Sequence, residues 1–323
     1  MSSDGESHKS CCMPASRFAA SDASRTEPVP ARGCAYAAES DAGDCLILIP
    51  AQQFLMGSSD LDGFPDDGEG PPRLVTVDSF RISSTVVTNR QFAEFVRDTR
   101  YITDAERSGA SFVFHGQLPG GRDASSLPTA RGLPWWRVVA DAAWQRPEGP
   151  GSHIHDRPDY PVVHVSWFDA QAYCAWSGQR LPTEAQWECA ARGGLHGKRY
   201  PWGDELMDDG HMRCNIWQGT FPDRPAIGWT PGPQPAQSFE PNGYGLYNTA
   251  GNVWEWCADS FVPDYHRVTS RHNPIVSDDS DYRSLRGGSF LCDASYCNRY
   301  RVGARNSSTP DSTASNCGFR VVE

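Results

Sequence analysis

Thirty glycines and 25 prolines punctuate this 323-residue chain so often that long helices and long strands have little room to form. What remains between the breaks is short elements joined by long loops. A core assembled from such pieces has to lean on aromatic side chains, each of which buries a large apolar area. The chain supplies them, with 11 Trp, 11 Tyr and 14 Phe. The length admits one large domain or two ordinary ones. Nothing resembling a linker interrupts residues 43–323, and no internal repeat is visible, so a single domain is expected there. Residues 1–42 are rich in Ser, Ala, Asp and Gly without an apolar period, and are expected to form a disordered arm. The vicinal Cys11-Cys12 within that arm reads as an incidental pair.

Charge narrows the partners. A formal net charge of −11 argues against nucleic acid, whose phosphates require a basic stripe. A cationic peptide or a metal ion suits the acidic balance, and so does plain solubility. No charged segment followed by an apolar stretch opens the chain, so no export signal is read. No run approaches the ~20 apolar residues of a membrane span. A soluble, cytoplasmic protein without a membrane partner is therefore expected. The 11 cysteines are odd in number, so at least one thiol stays unpaired within the chain. Without an export signal, most are expected to be reduced.

Alternation of apolar residues predicts strands over Leu46–Ile49, Gln53–Met56 and Leu74–Val77 with Phe80. Three capping boxes predict helix starts: Thr88 with Gln91, Ser166 with Asp169, and Thr183 with Gln186. After Gly194 no further helix is expected. The class is mixed α/β (α+β) with little regular secondary structure. Between the first strands, Asp60, Asp62, Asp66, Asp67 and Glu69 read as a solvated acidic loop.

Four constellations could carry chemistry. Asn248, Gly251, Val253 and Glu255 offer an amide oxygen, two carbonyls and a carboxylate, a mixed donor set that suits Ca2+. An Asx-turn followed by a strand reads equally well. Asn215 and the Ile216 carbonyl offer a weaker oxygen pair, for which a turn is the plainer reading. His153, His155 and Asp156 contain the residue types of a facial iron triad, but in an extended segment Asp156 points away from the two histidines. Cys292 and Cys297, in GGSFLCDASYCNRYR, could form a disulfide, a redox pair or a soft-metal clip. In a regular strand they would lie on opposite faces, so they converge only if the segment bends, as Gly287-Gly288 would allow. Arg286, Arg299, Arg301 and Arg305 crowd this stretch and would favour thiolates. No nucleophile elbow, dinucleotide fingerprint or phosphate loop is present.

Longer blocks are more specific: FLMGS at Phe54–Ser58, VVTNRQFAEFV at Val86–Val96, PVVHVSW at Pro161–Trp167, LPTEAQWE at Leu181–Glu188 and YPWGDE at Tyr200–Glu205. NIWQGTFP at Asn215–Pro222, NGYGLYNTAGNVWEW at Asn242–Trp256 and the cysteine block complete the set. In these blocks the chain resembles the formylglycine-generating enzymes, or sulfatase-modifying factors, over about residues 45–323. A wider superfamily shares LPTEAxWE and GNVWEW; the cysteine pair marks the catalytic branch.

The resemblance implies a C-type-lectin-like fold stabilised by calcium. It implies oxidation of a cysteine in a sulfatase C-x-P-x-R segment to Cα-formylglycine, with O2 and a thiol reductant as co-substrates. Cys292 and Cys297 match the family's Cu(I) ligands. Ser289 and Trp254 match residues lining the reaction pocket, and Tyr296 and Arg299 lie in the same wall. Asn248, Gly251, Val253 and Glu255 match one family calcium site. Asn215, Ile216 and the Trp229 carbonyl match the other, but Ile227 stands where that site's acid is expected. Of the two disulfides of the animal enzymes, one matches Ala191 and Val302 and is lost. The other matches Cys174 and Val321 and is lost too, unless Cys317 substitutes. A monomer is expected. A non-catalytic binding paralogue is the competing reading, but such paralogues lose these thiols. The related iron-dependent sulfoxide synthases need a further histidine-bearing domain, for which the chain has no room.

Overall fold

Strand alternation and helix caps produce most of the elements they predict. The computed structural model describes residues 13–14, 46–118, 124–278 and 280–323. Strand β1 (Leu46–Ile49) pairs antiparallel with β4 (Phe80–Ser83), and β2 (Gln52–Met56) with β3 (Arg73–Val77). Phe54, Met56, Val75 and Val77 turn inward at every second position. With Ile49, Phe80 and Ile82 they form an apolar cluster that takes in Ala185, Cys189 and Ala190.

All three capping boxes form, each with both reciprocal hydrogen bonds. They open α1 (Asn89–Thr99), α3 (Trp167–Ser177) and α4 (Glu184–Ala191). A fourth box, Thr103 with Glu106, opens α2 (Asp104–Ser108), and Tyr265–Val268 forms a single-turn helix, α5. These two run for five and four residues, too few to show a helical period. The expectation of no helix after Gly194 is corrected by α5.

Aromatic packing carries the larger core, as the composition demands. Phe92, Phe95 and Tyr173 bring α1 and α3 together, with the rings of Phe95 and Tyr173 edge-on at 5.7 Å. Beside them lies a three-stranded sheet of β5 (Ala110–Phe114), β6 (Thr129–Ala130) and β7 (Leu133–Ala140), with β7 in the middle. Two small hairpins follow, β8 (Met207–Asp208) with β9 (His211–Met212), and β10 (Gly219–Thr220) with β11 (Arg224–Pro225).

A four-stranded sheet closes the domain in the order β14-β13-β12-β15. Its strands are β12 (Trp254–Ser260), β13 (Arg283–Arg286), β14 (Asn306–Ser308) and β15 (Cys317–Gly318). β12 is buried along almost its whole length, so its sequence shows no alternation. β13 leads directly into Gly287, Gly288 and the cysteine segment.

One expectation needs correction. The acidic loop is not simply solvated: Asp67 and Glu69 are each only 6% exposed, because buried arginines draw them in. The disordered-arm reading of 1–42 falls mostly outside the described residues. Met13 and Pro14, however, are described and buried, and Met13 belongs to the larger apolar cluster. A lone Met-Pro pair needs no apolar period to fill a gap.

Candidate active site

The cysteine segment folds through consecutive turns. The Cys292 amide donates to the Ser289 carbonyl at 2.9 Å, and the Cys297 amide to the Asp293 carbonyl at 2.6 Å. Gly287 and Gly288 precede these turns with φ of +91° and +77°. A Cβ on Gly288 would lie 2.9 Å from the Arg299 carbonyl, so only glycine lets the returning chain pass. The result brings the two sulfurs to 3.5 Å. That is hydrogen-bond contact, well beyond the ~2.05 Å of a disulfide bond.

Hydrogen bonds hold the loop's other members. The Ser289 amide points at Cys292 Sγ at 3.4 Å, and Ser289 Oγ accepts from Asn316 Nδ2 at 3.0 Å. The Cys292 carbonyl accepts from the Trp217 amide at 3.0 Å. Tyr296 stacks on Phe221 at 5.0 Å and meets Trp135 edge-on at 5.1 Å, with Trp217 against Phe221 at 5.2 Å. Trp254 is fully buried in the same apolar cluster as both cysteines. Its indole N–H has no hydrogen-bond partner among the described residues. The Trp254 amide donates to the Asn316 carbonyl at 2.8 Å, so Asn316 links Trp254 to Ser289 and, through the Ser289 amide, to Cys292. Asn316 had no assigned role in the sequence reading, because an amide at that spacing carries no signal of its own.

The arginines do not surround the thiols as their sequence positions suggest. Arg286 pairs with Glu184 and Glu188. Arg301 takes both Glu69 oxygens, at 2.6 and 2.7 Å. Arg305 takes both Glu184 oxygens, at 2.6 and 2.7 Å. Burial alone would raise the Glu184 carboxyl, but Arg305 and Arg286 hold it down at about 2. Arg299 reaches a thiol, with Nη1 3.8 Å from Cys297 Sγ. Asp67 clamps the same guanidinium, accepting from Arg299 Nε and Nη2.

Other thiols are plainly different. Burial pushes Cys174, Cys189 and Cys214 up to about 12, and Cys257 and Cys317 well above the ordinary value. These five are free thiols held as inert core residues. Cys317 therefore does not replace the lost disulfide partner of Cys174.

Two thiols in contact, walled by aromatic rings, fit a soft monovalent ion. Among the described residues, no three His, Cys, Asp or Glu side chains converge on a metal-sized site. The His153–Asp156 segment is a turn, not the extended stretch expected. It brings His153 Nδ1 to 3.5 Å from Asp156 and to a ring contact with His155 on the surface.

The residues matching the calcium sites divide. Asn248 Nδ2 donates to the Pro235 and Ala236 carbonyls, leaving Oδ1 a buried acceptor without a partner among the described residues. Gly251, with φ +74°, passes so close to the Asn215 carbonyl that a Cβ would stand 2.3 Å from it. Glu255 is fully buried. Its Oε2 accepts from Trp187 at 2.7 Å and from Arg320, and its Oε1 from Arg320 at 2.8 Å. Oε1 keeps acceptor capacity and the Asn248 oxygen has no partner among the described residues, donor types that suit a hard cation. The other set fits poorly. Asn215 Nδ2 donates to the Gly232 carbonyl and to Asn252 Oδ1, which leaves Asn215 Oδ1 and the Ile216 carbonyl without the acid such a site needs. Ile227 is fully exposed, and Trp229 packs edge-on against Trp217 at 5.1 Å.

A family model described as the sulfatase-modifying factor enzyme 1-like domain matches residues 34–323. The formylglycine-generating enzyme of Thermomonospora curvata is 55% identical over 284 residues, covering 86% of this chain and 92% of that one. That of Streptomyces coelicolor is 53% identical over 277 residues, covering 85% and 88%. A Bos taurus protein named inactive Cα-formylglycine-generating enzyme 2 is 45% identical over 282 residues, covering 86% and 87%. Among solved structures, PvdO from Pseudomonas aeruginosa superposes with a TM-score of 0.61 at 23% identity over 86% of this chain and 93% of that one, a likeness of fold.

Proposed function

The chain belongs to the sulfatase-modifying, formylglycine-generating enzyme family, and from that premise we propose that it is a copper-dependent oxidase of a protein cysteine. The substrate is a sulfatase segment of the C-x-P-x-R type, and the product is Cα-formylglycine. The observation that carries this reading is the 3.5 Å contact of Cys292 and Cys297 inside an aromatic-walled loop.

Cys292 and Cys297 would hold one Cu(I). Bound there, the ion supplies the one-electron chemistry with O2 that side chains lack. The substrate Cβ–H and S–H bonds yield two electrons and two protons, leaving a thioaldehyde. Water then displaces the sulfur as sulfide and leaves the aldehyde. An external thiol pair supplies the other two electrons that reduce O2 to water. The residues of this chain set the stage for those steps. Asn316 fixes the Ser289 hydroxyl beside Cys292. Asp67 fixes Arg299 against Cys297, placing one positive charge where thiolate forms. The rings of Trp217, Phe221 and Tyr296 limit water around the loop.

The test is mass spectrometry of a C-x-P-x-R peptide after incubation with the protein, Cu(I), thiol and O2. A loss of sulfur and gain of a carbonyl that require all four components support the reading. An unchanged peptide would place the chain with its inactive relatives.

A further inference from the structure

Met13 and Pro14 hold a contact that the proposed chemistry leaves unused. Met13 is 0% exposed and lies in the apolar cluster that contains Cys292, Cys297, Trp254 and Phe290. The Pro14 carbonyl accepts hydrogen bonds from the hydroxyls of Ser308 and Ser312. Those two serines are themselves buried, at 1% and 0% exposed. Ser312 stands four residues before Asn316, which holds Ser289 beside Cys292. Main-chain hydrogen bonds are how extended peptides are held in grooves, and here two buried hydroxyls hold a peptide carbonyl on the segment that leads to Asn316. The chain at this point reads Cys12-Met13-Pro14-Ala15-Ser16-Arg17. Its first three residues are the C-x-P of the substrate segment, and its arginine falls one residue late.

We propose that Met13–Pro14 occupies the substrate groove as an internal pseudosubstrate, with Ser308 and Ser312 as the groove residues that grip the peptide carbonyl at the proline. The inference rests on the C-x-P-x-R reading of the substrate. Both thiols, Ser289 and Trp254 are 0% exposed with the segment in place, so an incoming sulfatase chain has to displace it. A tethered segment competes at an effective concentration on the order of millimolar. In sequence its arginine stands one residue later than in C-x-P-x-R, so the segment does not carry the full substrate signal. Occupancy of nine parts in ten would raise the apparent KM about tenfold.

The experiment compares the native full-length chain with its Met13→Asp and Pro14→Gly variants, each checked for native melting. With a C-x-P-x-R peptide, Met13→Asp should lower KM roughly five- to tenfold and Pro14→Gly by less, kcat unchanged in both. A labelled peptide of residues 8–20 should bind the Met13→Asp chain more tightly than the native chain by fluorescence polarisation. Adding Ser312→Ala to Met13→Asp should weaken that binding. Unchanged KM together with equal binding to both chains would overturn the proposal. If no chain turns over the C-x-P-x-R peptide, the substrate reading falls, and the polarisation result alone then decides whether the segment sits in a displaceable groove.

Discussion

One C-terminal stretch of 20 residues uses its side chains in two opposite ways. Arg286, Arg301 and Arg305 are at most 1% exposed and are caged by Glu184, Glu188 and Glu69. Between them, the Ser289–Cys297 segment puts two thiols among aromatic rings with Arg299 in reach. The cage spends its charges on each other: each arginine meets its carboxylates through several hydrogen bonds, which offsets the cost of burying ions. The loop meets that kind of pairing through Arg299, which bonds Asp67 and lies 3.8 Å from Cys297 Sγ. A rigid ionic frame thus holds a polarisable pair and touches it through Arg299.

The sharpest way to break this division is at the thiols. Cys292→Ala or Cys297→Ala should abolish peptide oxidation and copper binding while the melting temperature stays near native. X-ray absorption at copper should show sulfur ligation in the native chain and none in the double variant. Retained copper-dependent turnover in the double variant would end the copper reading. Next in size is the cage. Arg286→Met should destabilise the fold by about 3–5 kcal/mol, because Glu188 and Glu184 lose a buried partner. Urea unfolding measures it, and specific activity per folded molecule should stay unchanged. If activity falls at full folding, cage and loop are not separate.

A third comparison concerns the orphaned oxygen of Asn248. Removing Ca2+ by chelation should lower the melting temperature, by the equivalent of about 2.7 kcal/mol if the ion stands at a hundred times its Kd. Asn248→Ala should reproduce much of that loss and remove the response to chelator. A melting temperature indifferent to both would show that no ion supports the loop.

The smallest effect separates regions by pH. His164 is fully buried, with Nδ1 on Ser111 and Nε2 on the Pro147 carbonyl, and burial lowers it from 6.5 to about 4. It is neutral in the fold and charges more readily unfolded, so its stabilising contribution is complete above pH 6.5 and declines as pH falls toward 4. About 1 kcal/mol should be lost by pH 5.5, and His164→Gln should flatten that slope. Glu184 is held down at about 2 from 4.5, so the contribution of the cage persists until pH falls below 4.5. A cage that weakens near pH 6 would contradict the pairing.

Much of the frame was legible beforehand. Capping boxes at Thr88, Ser166 and Thr183 named three helices because the signal is local: the cap side chain accepts from the backbone N–H three residues on, whose own side chain accepts from the cap's N–H. Strands β1 to β3 were legible as short apolar runs between turns, whereas β4 was seen only through Phe80, attached to the third run. β12 was not legible from alternation, since both its faces are covered. The cysteine pair and the Asn248–Glu255 set were legible as residue types at a spacing. The partners of Arg286, Arg299, Arg301 and Arg305 were not, because those carboxylates lie 98 to 241 residues away in the chain.

The sequence by itself determined which groups could do chemistry, two close thiols in a glycine-bent frame, and which family they resemble. Only the tertiary structure decided which charges those thiols meet. Coulomb pairing depends on distance in space: the fold sends all four arginines to buried carboxylates, and one of them, Arg299 on Asp67, also lies beside Cys297. The burial of Met13 and Pro14 was decided in the same way. Their two residues carry no pattern of their own, and only a gap shaped by Ser308, Ser312 and the aromatic core makes burying them favourable.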